Sequence, residues 1–268
     1  MVREKLVVIK GAGDLASGVA HRLWRAGFKI IMTEIPQPTV IRRTVAFAEA
    51  VYQGKVTVED LTGRLVRDSE EAWQVASQNE VAVLVDPRAG VIGELRPQVV
   101  VDAIMAKTNL GTHIHQAPIV IALGPGFCAG RDAHAVIETM RGHYLGRVIF
   151  QGEARPNTGV PGEVGGKSRE RLLRSPAEGF FQGLKEIGTP VQPGEAVALV
   201  GGIPVVATIG GVLRGILHDG LWVTEGMKVG DVDPRAEREY CFTISDKARA
   251  VAGGVLEAIL FFQKRLGK

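Results

Sequence analysis

The sequence predicts an α/β fold, in which a doubly wound parallel sheet precedes a smaller all-β module and a C-terminal helix. Apolar runs alternate with stretches of helical periodicity, such as residues 40–52 and 69–77, through the first half of the chain. A glycine-rich turn follows the first apolar run. After about Gly146 the helical pattern gives way to short apolar runs between turns. We therefore predict domain boundaries that separate residues 1–145, 146–240 and 241–268.

The first βαβ unit contains a long and specific motif. Residues 6–9 form a continuous apolar run that predicts a buried strand, and helical spacing follows from about Leu15 to Arg25. In the segment KGAGDLA, Gly11, Gly13 and Ala16 match G-x-G-x-x-G/A. The two glycines allow a tight turn and close approach of a pyrophosphate, and the small third residue allows the helix to pack on the strand. The pattern predicts a Rossmann-like nucleotide-binding domain.

An acidic residue completes this motif. The second apolar run, residues 28–32, leads to Glu34, at the position where a carboxylate accepts hydrogen bonds from a ribose. An anion at the start of a helix suits the dipole but would repel a phosphate, so we expect Asp14 to cap the helix or to point elsewhere. The unit predicts that NAD or another dinucleotide is bound. The candidate binding residues are Gly11, Ala12, Gly13, Asp14, Leu15, Ala16 and Glu34.

Polar segments follow three further predicted strands, residues 81–85, 99–102 and 119–123. Ligands of doubly wound sheets bind beyond the carboxyl ends of the strands. Lys107, Asn109, Gly124 and Gly126 are therefore added to the predicted binding site. Lys107 and Cys128 are the candidates for catalysis, although an inert role for Cys128 remains the alternative, since no His–acid partner stands out.

A predicted helix, DAHAVIETMRGH, would place His134, Glu138 and Arg141 on one face. Histidine and glutamate at this spacing could bind a metal ion, but the sequence supplies no obvious third ligand. We therefore predict a capping or hydrogen-bonding role for these residues, and no metal site.

The second half of the chain predicts an all-β module. Its V-x-x-G-x-x-V repeats, residues 191–197 and 223–229, resemble those of the barrel-sandwich domains that carry biotin or lipoate. Such carriers present an acceptor lysine between the two repeats, whereas the corresponding turn here is Gly201-Gly202. We therefore predict a barrel-sandwich-like scaffold without a carrier function.

The end of the chain predicts a helix that Ser245 caps. Gly253 and Gly254 would be costly inside an isolated helix. They indicate close packing, with the helix placed back on the first domain. The alternative is a terminal helix that only closes the core.

Composition excludes several classes of function. The formal net charge is +3, without the basic stripe of a nucleic-acid-binding protein. The two cysteines, Cys128 and Cys241, form no C-x-x-C motif, which favours a reducing compartment. We find no apolar stretch that approaches the roughly 20 residues of a membrane span. These observations predict a cytoplasmic protein that binds neither nucleic acid nor membranes.

Five segments together resemble one family. They are VVIKGAGDLASGVAHRL, MTEIPQPTVIRRTVAFAEAVY, LGPGFCAGRDAHAVIETMRGHYLGRVI, KVGDVDPR and TISDKARAVAGGVLEAIL. The chain is similar in them to the selenium-dependent molybdenum hydroxylase system proteins, the YqeB-type accessory family. The resemblance implies a Rossmann-type domain and an accessory role in the maturation of molybdenum hydroxylases. It implies no catalytic residues.

Three functions are compatible with these observations. The preferred hypothesis is a maturation factor for a molybdenum hydroxylase client, which holds a molybdenum cofactor dinucleotide or NAD at the glycine-rich turn. The second is an NAD-dependent oxidoreductase that acts on a small substrate, because Glu34 would disfavour the 2′-phosphate of NADP. The third is a non-enzymatic scaffold that docks the client. A homo-oligomer is compatible with all three.

Overall fold

The computed structural model describes residues 2–160 and 162–267, except for the side chain of Glu4. The chain forms two compact units. The first unit comprises residues 1–38, 47–158 and 244–268, and the second comprises residues 39–46 and 159–243. The predicted boundaries followed residues 145 and 240, whereas the chain passes between the units after residues 38, 46, 158 and 243.

A nine-stranded sheet forms the centre of the first unit. Its strands are β1 (Arg3–Lys10), β2 (Lys29–Glu34), β3 (Lys55–Val58), β4 (Leu61–Val66), β5 (Val81–Val85), β6 (Pro97–Asp102), β7 (Ile119–Leu123), β9 (Ala135–Ile137) and β10 (Val148–Ile149). They are ordered β10-β9-β7-β6-β1-β2-β5-β4-β3. Two short strands, β8 (Cys128–Ala129) and β11 (Gly152–Glu153), pair separately.

The first unit also contains the α-helices. They are α1 (Asp14–Arg25), α2 (Ala50–Gln53), α3 (Ser69–Ser77), α4 (Val91–Leu95) and α5 (Asp246–Leu266). Asp68 caps α3 and Ser245 caps α5, each by accepting a hydrogen bond from a main-chain amide of the first turn. A 3-10 helix, Phe47–Glu49, precedes α2, and two others, Arg43–Val45 and Arg238–Cys241, lie in the second unit.

The central strands are buried because their residues are apolar on both faces. Residues 6–9 of β1, residues 99–101 of β6 and all of β7 are buried. In the parallel register of β1 and β6, Lys10 pairs with Asp102 at the carboxyl ends of the two strands. Two charged residues therefore follow directly from the apolar interior of the sheet.

Two four-stranded antiparallel sheets form the second unit. Its strands are β12 (Leu172–Arg174), β13 (Gly179–Gly183), β14 (Pro190–Val191), β15 (Ala196–Val200), β16 (Ile203–Val206), β17 (Gly211–Ile216), β18 (Trp222–Val223) and β19 (Lys228–Asp233). They are ordered β12-β19-β17-β14 and β16-β15-β13-β18. Apolar side chains of both sheets, among them Phe181, Leu213 and Val229, belong to one core.

The predicted fold class, a Rossmann-like doubly wound parallel sheet with a barrel-sandwich-like module, was wrong. The large sheet is mixed, because β3 and β10 are antiparallel to their neighbours at its two edges. Residues 103–118 connect β6 to β7 without a helix, although such a crossover is the repeating unit of a doubly wound sheet. The second unit forms two separate antiparallel sheets instead of the predicted barrel-sandwich.

Two predicted helices were also wrong. The segment DAHAVIETMRGH contains strand β9, whose three residues are buried, so His134 and Glu138 flank a strand instead of sharing a helix face. Residues 40–52 form 3-10 turns and part of the short helix α2. By contrast, α1, α3 and α5 confirm the helices predicted from about residue 15, from residue 69 and after Ser245.

The long helix α5 lies very close to the rest of the first unit at one of its two glycines. A Cβ atom built on Gly254 would lie 2.1 Å from the carbonyl oxygen of Gly146, whereas one built on Gly253 meets nothing within 4 Å. Gly254 is therefore in close contact with the main chain of Gly146, whereas Gly253 is not. In the described part of the chain, no helix combines the length and the apolar character that a bilayer crossing requires.

Candidate functional site

The glycine-rich turn is held by the protein's own main chain. Gly11 has a positive φ of 88°, and its amide donates to the carbonyl oxygen of Thr33 at 2.8 Å. A Cβ atom on Gly11 would lie 3.0 Å from Cα of Ile104, so the turn packs directly on the loop that follows β6. Glycine is needed here for its conformation and for this close approach.

Glu34 faces the turn with both carboxylate oxygens engaged. Oε2 accepts a hydrogen bond from the amide of Ala12 at 2.9 Å, and Oε1 accepts one from the amide of Ile35 at 2.8 Å. Burial raises the pKa of Glu34, although both amides favour its ionised form. The carboxylate that was predicted to hold a ribose therefore closes the turn.

The carbonyl oxygen of Ala12 and the hydroxyl of Ser17 are also bonded within the protein. The carbonyl oxygen of Ala12 accepts hydrogen bonds from the amide of Ala48 at 2.9 Å and from Oγ of Ser17 at 3.2 Å. Oγ of Ser17 in turn accepts from the amide of Phe47 at 2.8 Å. Gly13 is the N-cap of α1, followed by Asp14 in the first turn and by the buried side chains of Leu15 and Ala16.

A buried ion pair lies behind this turn. Nζ of Lys10 is 3.3 Å from Oδ2 of Asp102, and the two side chains are 6% and 2% exposed. The hydroxyl of Thr112 donates to the same carboxylate at 2.5 Å and accepts from Lys10. Removal from water makes such charges costly unless each is bonded, as they are here. The pair joins β1, β6 and the loop after β6.

The other predicted site residues lie in loops at the same edge of the sheet. The Asn109 side chain bonds only the main chain of its own loop, with Nδ2 donating to Thr112 O and Oδ1 accepting from the Gly111 and Thr112 amides. Lys107 is exposed and has a positive φ of 65°.

The two glycines of the loop after β7 are in close contact with neighbouring segments. A Cβ atom on Gly126 would lie 2.8 Å from the main chain of Lys107, and one on Gly124 would lie 2.6 Å from Oγ1 of Thr139. Cys128 is half-buried in β8. The structure thus brings Gly126 and Lys107 together by packing, whereas Gly124 packs on Thr139.

We predict that Glu34→Ala lowers the free energy of unfolding by about 1–3 kcal/mol, because the amide of Ala12 loses its acceptor in a buried setting. Glu34→Gln keeps one carbonyl oxygen and should recover part of this loss. Urea denaturation of the three proteins measures the difference. An unfolding free energy unchanged by Glu34→Ala would show that the carboxylate does not stabilise the turn.

An open groove of about 510 Å³ lies at the opposite edge of the sheet. It is bounded by the amino-terminal ends of neighbouring strands β1, β6, β7 and β9 and by helix α4. The lining residues are Val2, Ile92, Gly93, Arg96, Pro97, Ile114, His115, Gln116, Ala117, Pro118 and His134. Sites for small ligands have volumes of this size, and this lining combines apolar residues with the polar side chains of Arg96, His115, Gln116 and His134.

Gln116 presents an unsatisfied atom in this groove. Its Oε1 is buried and has no hydrogen-bond partner, whereas its Nε2 donates to the carbonyl oxygen of Gly111 at 3.4 Å. Buried acceptors almost always have a donor. A ligand hydroxyl, a ligand amine or a water molecule would satisfy this one.

His134 supplies a second polar group. The amide of Val120 donates to its Nδ1 at 3.0 Å, so the neutral ring carries its proton on Nε2. Burial and the neighbouring His115 lower the pKa of His134. The ring stands edge-on to Phe262, with the centroids 5.5 Å apart. The neutral imidazole is thus held in one orientation and has one N–H to donate.

Arg96 supplies the positive charge of the groove. It is exposed and ends α4 in the left-handed conformation, with φ 48°, which favours glycine. Among the described residues, no hydrogen bond or ion pair engages its guanidinium. A charged side chain therefore stands beside the groove at a position whose backbone conformation costs free energy.

Sequence reasoning overlooked most of this groove. It singled out His134 but placed it on a helix, and it searched only the carboxyl ends of the strands. Arg96 and Gln116 were not considered, because each stands among apolar or turn residues with no recognisable motif. The pair Arg96-Pro97 was the available signal, since proline restricts the residue before it and marks the start of a strand.

A search of curated proteins finds one relative of the chain over almost its whole length. The relative is uncharacterized protein YqeB of Escherichia coli (strain K12), which is 53% identical over 256 residues. The match covers 96% of this chain and 47% of the relative, so the chain spans about half the length of that protein. No protein-family model matches the chain. The similarity supports the YqeB part of the resemblance, but nothing in it refers to selenium or molybdenum hydroxylases.

Solved structures give weaker similarities. An aspartoacylase family protein from Mesorhizobium loti is 12% identical, with a TM-score of 0.27, over 85% of this chain and 83% of that one. A succinylglutamate desuccinylase/aspartoacylase from Rhodobacter sphaeroides is 14% identical, with a TM-score of 0.28, over 85% and 84% of the two chains. These scores are too low to assign a shared fold or activity.

The function predicted from the sequence is therefore corrected. It required a dinucleotide at the glycine-rich turn with Glu34 on the ribose, but the amides of Ala12 and Ile35 donate to the two carboxylate oxygens of Glu34. The name of the relative YqeB refers neither to nucleotide binding nor to a molybdenum hydroxylase. The alternative hypothesis, an NAD-dependent oxidoreductase, required the same binding site and is therefore corrected as well.

Proposed function

We propose that the first unit binds a small organic acid in the groove at the amino-terminal edge of the sheet. The main support for this proposal is the Oε1 atom of Gln116, which is buried and has no hydrogen-bond partner. The positively charged Arg96 lines the same groove. Gln116 would accept a hydrogen bond from a hydroxyl or amino group of the ligand, and Arg96 would bind its acidic group.

The lining of the groove defines the rest of the ligand. Ile92, Pro97, Ile114 and Pro118 present apolar surface, which suits a short hydrocarbon portion. The Nε2–H of His134 can donate to a second oxygen of the acid. A hydroxy acid or amino acid with an apolar side chain combines the three features that these groups recognise.

We expect Arg96→Ala to weaken binding of such a ligand about 10-fold or more, because a hydrogen bond to a charged group is worth about 1.5–3 kcal/mol. Isothermal titration with three compounds tests the groups of the ligand one by one. Comparing 2-hydroxy-4-methylpentanoate with 4-methylpentanoate shows what the hydroxyl contributes to affinity, and isobutyl phosphate shows whether a phosphate can replace the carboxylate. The hydroxy acid should bind more tightly than 4-methylpentanoate, and Gln116→Leu should remove that difference.

Arg88→Ala is the matched control. It removes the same charge from an exposed arginine that does not line the groove. Equal weakening by Arg88→Ala and Arg96→Ala would contradict the proposal, as would the absence of binding below millimolar concentration for all three compounds.

Because His134 lines the groove, its protonation should make the affinity measured by isothermal titration depend on pH. Because the pKa of His134 lies below its usual value of 6.5, the ring is neutral at pH 7 and gains a positive charge only in more acidic solution. Affinity for the acid should therefore rise as the pH falls below about 6.5. His115 and Arg96 line the same groove and contribute to its charge. His134→Gln should make the affinity for the acid less dependent on pH.

The cytoplasmic location and the homo-oligomer stay predictions from the sequence. Neither is needed for binding in the groove, whose lining residues all belong to the first unit.

A further inference from the structure

Three side chains of the kinds that bind metal ions meet between α1 and the turn that joins β3 to β4. His21 is buried in α1, and its side chain is 4% exposed. Glu59 and Asp60 are the two residues between the paired strands β3 and β4. One imidazole nitrogen and one oxygen of each carboxylate all lie within 4.8 Å of one another. The fold therefore brings a buried imidazole onto two adjacent carboxylates.

The distances within this cluster are close to those of a metal site. Nε2 of His21 lies 2.7 Å from Oδ1 of Asp60 and 3.6 Å from Oε2 of Glu59. Two ligand atoms bonded to one zinc ion at about 2.0–2.2 Å in a tetrahedral site are themselves about 3.5 Å apart. The separation between His21 and Glu59 already has this value. Asp60 has to move away by less than about 1 Å, and its side chain is half exposed.

The outer oxygens of both carboxylates are held by other groups. Oδ2 of Asp60 accepts a hydrogen bond from the guanidinium of Arg25 at 2.7 Å. Oε1 of Glu59 accepts hydrogen bonds from the guanidinium of Arg249 at 2.7 Å and from the amide of Ile244 at 2.9 Å. In metal sites, hydrogen bonds of this kind orient the carboxylates that bind the ion. Here they leave the inner oxygens directed at the imidazole.

We propose that His21, Glu59 and Asp60 bind a divalent transition-metal ion, and that Zn²⁺ is the ion that suits them. Imidazole nitrogen and carboxylate oxygen are both zinc ligands, whereas Mg²⁺ and Ca²⁺ prefer oxygen ligands alone. The ion would replace the hydrogen bond between His21 and Asp60, and the imidazole would then carry its proton on Nδ1. Because Asp60 is half exposed, a water molecule can supply the fourth ligand.

Equilibrium dialysis of the full chain against Zn²⁺, after treatment with a chelator, tests this proposal. Elemental analysis should give one zinc ion per chain, and excess Mg²⁺ should not displace it. Asp60→Asn should weaken zinc binding about 100-fold or more, since even the loss of a group that orients a ligand costs about 10–100-fold. Glu70→Gln is the matched control, because it removes an exposed carboxylate outside the cluster, and it should leave the affinity unchanged.

Co²⁺ in place of Zn²⁺ identifies the ligands, because its visible absorption depends on them. The absorption should be lost in His21→Gln and in Asp60→Asn, and circular dichroism checks that both variants fold. It should persist in His113→Gln, which changes an exposed histidine whose ring centroid lies 6.5 Å from that of His115. Three results would overturn the proposal. They are no zinc binding by the unaltered chain, loss of zinc in His113→Gln, and full zinc binding by both Asp60→Asn and Glu59→Gln.

Discussion

Replacing Asp102 by alanine should lower the free energy of unfolding by about 3–5 kcal/mol. The substitution leaves the ammonium group of Lys10, whose side chain is 6% exposed, with only the hydroxyl of Thr112 as a partner. It also removes the acceptor for the amide of Ile104, which donates to Oδ1 of Asp102 at 3.2 Å. Both losses occur where the loop after β6 supports the glycine-rich turn, so the turn should open as well.

Denaturation in urea measures this loss, and two comparisons identify its cause. Arg67→Ala removes an exposed ion pair with Glu71 and should cost less than about 1 kcal/mol. The double variant Lys10→Met with Asp102→Leu removes both charges and should be much more stable than Asp102→Ala. If the double variant is as unstable as the single one, the unpaired charge is not the cause.

Replacing Gly254 by alanine should lower the free energy of unfolding by about 3 kcal/mol, at the upper end of the range for overpacked cores. The new methyl group would lie 2.1 Å from the carbonyl oxygen of Gly146 and 3.0 Å from the side chain of Ile137. The oxygen belongs to the main chain and cannot turn aside as a flexible side chain can. Helix α5 would have to move away from β9 and from the loop that follows it.

Gly253 is the matched control for this prediction. It is the adjacent residue of the same helix, but a Cβ atom there meets nothing within 4 Å. Gly253→Ala should therefore raise the free energy of unfolding by about 0.5–1 kcal/mol, because alanine is favoured over glycine inside helices. Thermal denaturation of both variants gives the comparison. Changes of the same sign would show that packing does not distinguish the two glycines.

Local sequence patterns predicted the elements whose residues all favour one structure. Residues 6–9 and 119–123 are continuous apolar runs, and each lies within a buried strand. Ser245 was expected to cap the last helix, and its hydroxyl accepts the amide of Ala248 at 3.1 Å. Such features depend on few residues, and those residues are neighbours in the chain.

The same reasoning failed where distant segments decide the conformation. The segment around Val136 has helical spacing, but it pairs with β7 and becomes strand β9, because an edge of the sheet was available to it. Glu34 was placed correctly near the glycine-rich turn, but its role was reversed. The carboxylate accepts a hydrogen bond from the amide of Ala12, within the protein itself.

The sequence by itself determined the order of the central strands along the chain and the helices α1, α3 and α5. The tertiary structure alone decided the antiparallel edges of the sheet, the closure of the turn by Glu34, and the groove that contains Arg96, Gln116 and His134. The physical reason is the range of the interactions. Periodicity and capping act within one or two turns of chain, whereas a groove and an ion pair arise from residues that only folding brings together.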